Sequence, residues 1–507
     1  MTGRIRNILL AVFFAALAVA AYRSILNDYP VADDFGHIAK LSGLHAYDVW
    51  KFFTVQSQYF IRPLPFFAIW AEYRVFGLDW FPDHLLNVVM HGLNGFLLFY
   101  LLYRLGAGRL AAFAAGALAV LSPLAPEAVT WTAGRFDVWA LFFVLISLLA
   151  YAIFLENRRR AAYVLALAAA AAALLSKESA VILAILIPAM DLIFGNTPNE
   201  SPQKSAFKAR AALLRFGVRM LPFLLLFSAY GALRLAISGA LARTPGYMSL
   251  SGSAGFNLRA PARTLATLAA PLDRLVTSRP EIVVFGMYCG ALFAVSLVLV
   301  VFRWKRAATP ARRSWIFMLI FFGASLLPTY SSFFSSGMSN YLNNSRFFYC
   351  TIFAMTSLLV IGLVDFGWKA RAWLYGLGAA LAVMALAYSW GLASNNTVWE
   401  KASSISYYIN DETKTLLPDP PRGANLYFEG VPRLEGGHIY ASALDTAIPL
   451  SYQRDDLKVF YTDPDPVLAS LYPATSYSGD GYLFRYDWST GELQLVSQPQ
   501  PASAASR

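Results

Sequence analysis

Two adjacent carboxylates, Asp33 and Asp34, sit in the stretch YPVADDFGHIAK, with His37 one helical turn further on. Like charges side by side repel, so one pKa rises while the other group stays ionised. Such a pair suits a general base that takes a proton from an attacking group. The same residues also read as a helix cap for FGHIAKL, because Asp favours that position. Other charged groups carry similar double readings. Glu127 follows Pro126 and is either a working carboxylate or a first-turn acid favoured by the helix dipole. Arg135 and Asp137, in AGRFD, either pair or mark a helix start. Lys177 and Glu178, in SKES, either neutralise each other or offer a point charge to a phosphate. Arg346 either snorkels at a helix end or grips a phosphate with its planar guanidinium. Arg62 and His84 complete the set. His84 and His91 lie two turns apart on one helical face, too few ligands for a metal site. The sequence has no Walker loop, dinucleotide fingerprint or zinc motif, so no cofactor is expected, with a divalent metal left open but not favoured.

These groups sit between long apolar runs. The chain has 507 residues, 57% hydrophobic and 14% charged, which is too apolar for a soluble surface. A net charge of +11 could suggest nucleic acid, but the basic residues fall in short runs between apolar segments, so no nucleic-acid partner is expected. Windows long enough to cross a bilayer, about 17–25 residues, lie near 7–25, 84–103, 110–126, 136–155, 217–237, 282–302, 314–328, 346–366 and 372–392. The stretch 161–194 breaks at SKES into two spans meeting at a polar elbow, for about eleven spans in all. Both cysteines, Cys289 and Cys350, lie in apolar segments, which gives no disulfide framework. The N-terminus has the shape of a signal peptide but reads as an uncleaved first span.

With Arg4 and Arg6 in the cytoplasm, alternation puts every basic loop on that same side, as the positive-inside rule requires. The functional candidates then gather at span ends on the opposite face, where intramembrane and near-membrane charges are costly and become candidates for function. The loop 26–83 mixes aromatics and charges at helical spacing, which suits helices lying in the membrane interface. The tail 395–507 changes character. It reads as a helix near 397–417, alternating runs in ANLYFEGVP and HIYASAL, a hairpin in GYLFRYDWSTGELQLV, and a disordered end. The fold class expected is an all-α polytopic membrane protein, residues 1–394, followed by a small extramembrane α+β domain, residues 395–507.

DYPVADDFGH, YFIRPLPFFAIW, VFGLDWFPDHLLNVVMHGLNGFLLFYLL, SPLAPEAVTWTAGRFDVWALFF, LLSKESAVILAILIPAMDL and NSRFFY occur in that order. The series resembles the GT-C superfamily of polytopic membrane glycosyltransferases. It looks closest to the branch holding the transmembrane, TPR-containing protein O-mannosyltransferases and their bacterial relatives. That resemblance covers about residues 1–366. It implies an inverting transferase whose donor is a polyprenyl-phosphate sugar and whose acceptor is a glycan, lipid or protein. It maps the acidic pair onto Asp33 and Asp34, one of them the base, with Asp33 slightly favoured. Glu127 becomes a helper carboxylate, and Lys177 and Arg346 lie at the donor phosphate. His37, Arg62, His84, Arg135, Asp137, Glu178 and Tyr349 stand further out. The sequence departs from the branch at Phe347 and Cys350 in SRFFYCT, at Ala125, and in having no TPR array. The expected setting is a bacterial inner membrane, with the N-terminus cytoplasmic, the tail periplasmic and membrane lipid as surroundings. The alternatives are a lipid-linked sugar transporter, which accounts for the spans but not for a one-sided cluster of charged groups, and a non-catalytic scaffold whose tail binds a partner.

Overall fold

The computed structural model describes residues 3–55, 60–195, 206–239, 259–329, 342–432, 443–462 and 475–499. Seventeen helices are described. The first group is α1 (Gly3–Ala21), α2 (Asp33–Leu41), α3 (Val49–Thr54), α4 (Pro63–Phe76), α5 (Phe81–Leu105) and α6 (Arg109–Val120). Next come α7 (Pro126–Val129), α8 (Arg135–Asn157), α9 (Arg160–Leu174), α10 (Leu183–Phe194), α11 (Ala206–Ser238) and α12 (Arg259–Ala269). The last are α13 (Arg279–Arg303), α14 (Thr309–Leu326), α15 (Tyr349–Val364), α16 (Arg371–Leu416) and α17 (Leu444–Tyr452). The chain is a multi-pass membrane protein. Among the described residues seven helices are long and apolar enough to cross a membrane, those built on α1, α5, α8, α11, α13, α15 and α16. Leu213, Leu224, Val284 and Met287 on α11 and α13 stay exposed, as lipid-facing side chains do.

Each of the eleven expected windows carries a helix, but four are short. α6 and α10 have 12 residues and α9 has 15, or about 18–23 Å at 1.5 Å per residue. α14 has 18 and carries Arg312 and Arg313 near its start. α6 and α9 stop early and hand over to irregular backbone. Residues 121–134 after α6 are buried in protein and 175–182 after α9 partly so; burial in protein is the setting in which irregular backbone is tolerated at membrane depth. α5 and α6 approach so closely that a Cβ at Gly95 would lie 2.4 Å from Val120 Cγ2. Small residues allow such approach where no hydrophobic effect drives helices together. α5 ends at Gly106 in a left-handed conformation, φ 96°, which caps the helix and turns the chain into α6.

The first loop folds back onto the helices. Arg135, at the start of α8, is fully buried. Its Nη1 donates to Glu72 Oε2 of α4 at 2.6 Å and its Nη2 to Asp83 Oδ1 of α5 at 3.1 Å. Burial pushes Glu72 up to about 8 while the Arg135 guanidinium pulls the other way, and the triad joins three helices.

α16 is 46 residues long, about 69 Å. It runs unbroken from its apolar first half through position 394, where the sequence places a domain boundary, and takes in the helix expected near 397–417. Beyond it, four strands form a sheet ordered β2-β1-β3-β4: β1 (Asn425–Glu429), β2 (Lys458–Tyr461), β3 (Tyr482–Asp487) and β4 (Glu492–Ser497). β1 is parallel to both β2 and β3, and β3–β4 is the antiparallel hairpin expected around STGE. In HIYASAL, residues 438–442 lie outside the described residues and Leu444 opens α17. Most of the expected disordered end also lies outside them. A core of Val31, Phe35, Trp131, Trp399, Phe428 and Phe484 joins the sheet and α16 to the segment before α2.

Removing the Arg135 guanidinium strands two buried carboxylates. Arg135→Ala is expected to lower the unfolding free energy in detergent by about 3–5 kcal/mol, as breaking a buried pair does. A denaturant midpoint unchanged from wild type contradicts the triad's structural role.

Candidate active site

α2 begins at Asp33, and its cap position is Ala32, with no side-chain cap bond. Neither aspartate is therefore the helix cap that the sequence allows. Asp34 is buried and ties two segments together: Val31 N–H donates to its Oδ2 at 3.1 Å and Ala133 N–H to its Oδ1 at 2.7 Å. Burial pushes its pKa up to about 8, while the two amide donors pull the other way. Asp33, exposed, opens onto a pocket. Between them and Val31 the chain is bent. Ala32 has φ 50° and ψ −122°, a conformation that costs a residue with a side chain about 1–3 kcal/mol. Trp131 Nε1 donates to Val31 O at 3.2 Å and helps hold that bend.

An open pocket brings together Asp33, His37, Arg62, Asp137, Lys177 and Arg346. Its walls are Phe60, Trp131, Phe136 and Phe347. Three cations point into it, and each is matched by a carboxylate from another part of the chain. Arg62 makes a bidentate pair with Glu178, Nε to Oε2 at 3.0 Å and Nη2 to Oε1 at 2.7 Å. Lys177 pairs with Asp137, and Arg346 with Glu127. Each cation also faces an aromatic ring: Arg62 over Phe60 at 4.0 Å, Lys177 over Phe347 at 5.0 Å, Arg346 over Trp131 at 4.7 Å. Ring faces attract cations, more so when water is excluded. Burial pushes the Lys177 ammonium below its usual value and Asp137 pulls it back. Glu178 is held well below the ordinary carboxylate range, against its burial, by the Arg62 guanidinium. His37 stands edge-on to Phe66 and Phe136, and burial lowers it to about 4, so it is uncharged at neutral pH.

Two pairings differ from those the sequence allows. Arg135 does not pair with Asp137, and Lys177 does not pair with Glu178. Each finds its partner across the fold instead: Arg135 with Glu72 and Asp83, Asp137 with Lys177, and Glu178 with Arg62. Glu127 is buried and faces the turn before α15, not the open pocket. It accepts from the backbone N–H of Asn344 at 3.2 Å and of Arg346 at 2.9 Å, from Ser345 Oγ at 3.1 Å, and from the Arg346 guanidinium. Asn344 takes a left-handed φ of 73° in that turn. Glu127 therefore sets the position of Arg346.

The remaining sequence candidates lie deeper. His84 Nε2 contacts the Asp28 carbonyl at 3.2 Å. Tyr349 OH bonds His91 Nδ1 at 2.6 Å and accepts from Asn94 Nδ2 at 3.2 Å, fixing the start of α15 beside Arg346. Sequence reasoning assigns no role to Trp131, Phe347, Phe60 or Glu72. Trp131 and Phe347 lie inside the quoted motifs, within four residues of Glu127 and next to Arg346, and that adjacency is the signal available. Glu72, the lone acid of FFAIWAEYRVF, is another. Among the described residues no three His, Cys, Asp or Glu side chains gather as metal ligands would.

Residues 62–227 match the sequence pattern of the family described as dolichyl-phosphate-mannose-protein mannosyltransferase. That segment holds Arg62, Glu127, Arg135, Asp137, Lys177 and Glu178, but neither Asp33 nor Arg346. Protein O-mannosyl-transferase Tmtc1 of Drosophila melanogaster is 30% identical over 190 residues, which make up 35% of this chain and 22% of the fly protein. The chain thus spans about a fifth of the length of that curated relative. Among solved structures, ArnT from Cupriavidus metallidurans bound to undecaprenyl phosphate superposes with a TM-score of 0.49 at 14% identity, over 94% of this chain and 92% of that one. The Archaeoglobus fulgidus oligosaccharyltransferase tethered with an acceptor peptide gives 0.46 at 13%, over 89% and 64%.

Glu127→Ala leaves four donors of the 344–346 turn without their acceptor. Unmet buried donors cost about 1–3 kcal/mol each, so amide exchange of 342–348 in the purified protein is expected to quicken by at least about tenfold. Exchange at the wild-type rate contradicts the role given to Glu127.

Proposed function

We propose that this chain is an inverting membrane glycosyltransferase. It moves one sugar, a hexose or pentose, from a polyprenyl-phosphate carrier to an acceptor hydroxyl at the outer face of a bacterial inner membrane. The observation that carries this reading is the pocket in which Arg62, Lys177 and Arg346 face Asp33 beside the ends of apolar helices. The sequence match over 62–227 supports it. A lipid carrier keeps its phosphate at the membrane surface, so the cations that receive it must stand at the ends of spans. The aromatic walls suit the apolar faces of a sugar ring.

Asp33 is the base. Its carboxylate takes the proton of the acceptor hydroxyl as that oxygen attacks the anomeric carbon from the face opposite the phosphate. The bond between the anomeric carbon and the phosphate oxygen breaks, and its electron pair leaves with the polyprenyl phosphate. Lys177, Arg346 and Arg62 meet the charge that develops there, which is where preorganised cations lower a barrier most. Asp34 holds the backbone that aims Asp33, and Glu127 holds Arg346. His37, neutral and one turn from Asp33, lines the sugar side. His84, Arg135 and Tyr349 fix the helices around the site. The acceptor is a cell-envelope glycan, lipid or protein, and the sheet domain lies on the acceptor's side of the membrane.

A general base contributes about 10²–10⁴-fold. Asp33→Asn is therefore expected to lower kcat by that factor in a purified assay with polyprenyl-phosphate sugar, while Lys177→Ala and Arg346→Ala also weaken donor binding. Full transfer by Asp33→Asn sinks the assignment.

A further inference from the structure

The second half of α16 lies against the site along one stripe. Asn396, Trp399, Ser403 and Ser406 follow each other at steps of three and four residues, which places them on one helical face. All four are buried. Three are polar, and a polar side chain in a packed seam is unfavourable unless it is hydrogen-bonded. Each finds its partner in the two segments that frame the pocket. Ser406 Oγ donates to the Pro30 carbonyl at 2.7 Å, and Ser403 Oγ accepts from Tyr29 N–H at 2.6 Å. Asn396 Oδ1 accepts from Thr130 Oγ1 at 2.8 Å. Trp399 stacks on Trp131, ring centroids 6.1 Å apart at 20°, and the Arg346 guanidinium lies over Trp131 as well. The stripe thus grips residues 29–30 just before the left-handed Ala32, and residues 130–131 just after Glu127.

We propose that Ser403 and Ser406 are positioning residues. They latch the 29–32 segment to α16 and so hold Ala32 in its left-handed conformation, which turns Asp33 toward the pocket; Trp399 does the same for Arg346 through Trp131. This rests on Asp33 being the base of a sugar transfer. The long helix then has two roles, since α16 carries the sheet domain and sets the geometry of the site with the same stretch of chain. A backbone held in a rarely populated conformation persists only where its surroundings over-determine it. Two hydroxyls on the preceding residues, two amide bonds to Asp34 and Trp131 supply that constraint here.

The test uses the full-length protein in nanodiscs, with Ser403→Ala and Ser406→Ala combined and then joined to Ala32→Gly. Glycine adopts a positive φ freely, so it makes the required bend available without the latch. The double serine variant is expected to lose about tenfold to a hundredfold in kcat, the scale of a small misplacement at a reacting group, with donor KM unchanged. Amide exchange of residues 29–36 quickens, exchange elsewhere in α16 does not, and Ala32→Gly restores part of kcat. Wild-type kcat and exchange in the double variant overturn the latch, and so does a loss of protection spread along all of α16, which marks a merely structural seam. A wild type that transfers no sugar from any polyprenyl-phosphate donor, with protection of 29–36 still lost in the variant, overturns the transfer reading and leaves the latch in place.

Discussion

A cation near the edge of a bilayer must have its charge met, because the surrounding medium solvates it poorly. In this protein three cations converge on one pocket, and each is met by a carboxylate distant in sequence: Glu178 for Arg62, Asp137 for Lys177, Glu127 for Arg346. The pairs draw four parts of the chain onto one site: the segment before α4, the stretch from α7 into α8, the elbow after α9, and the turn before α15. They also leave the pocket side of each cation facing an open space bordered by aromatic rings. Under the transfer reading proposed above, a donor phosphate entering that space would meet positive groups already held in place by these pairs.

Half-length helices make this arrangement possible. α6 and α9 end short of a full crossing, and the irregular backbone that follows is packed inside the protein after α6 and partly so after α9. Glu127 comes from the one-turn helix α7 within the first of those stretches, Lys177 from the second, and Asp137 from the first turn of α8. A full-length apolar helix could not present a glutamate or lysine at that depth with its partners in reach. The buried triad of Arg135, Glu72 and Asp83 closes the gap between loop and span, and α16 closes the opposite side.

Much of this is legible in the sequence. The apolar windows give the helices, and the hairpin around STGE is where the alternation puts it. Of the candidate residues, Asp33, His37, Arg62, Asp137, Lys177 and Arg346 line one pocket, while Asp34, Glu127, His84, Arg135, Glu178 and Tyr349 do not. The pairings are not legible. Arg135 and Asp137, or Lys177 and Glu178, look like partners because they are close in the chain, yet each pairs across the fold. The role of Glu127 is hidden for the same reason, since its partners lie more than two hundred residues on. The left-handed Ala32 carries no sequence signal, because glycine is the residue such a position advertises. The stretch that forms α16 reads as a span and a separate helix, since polarity changes at its middle while helical geometry does not.

The most direct measurement is a cryo-electron microscopy structure of the protein in nanodiscs with a non-hydrolysable polyprenyl-phosphate sugar. The phosphate oxygens are expected within about 3 Å of the Arg346 and Lys177 nitrogens, with the Asp33 carboxylate on the opposite face of the anomeric carbon. A phosphate bound away from these cations, or a sugar whose phosphate and Asp33 lie on the same face, contradicts an inverting transfer at this pocket.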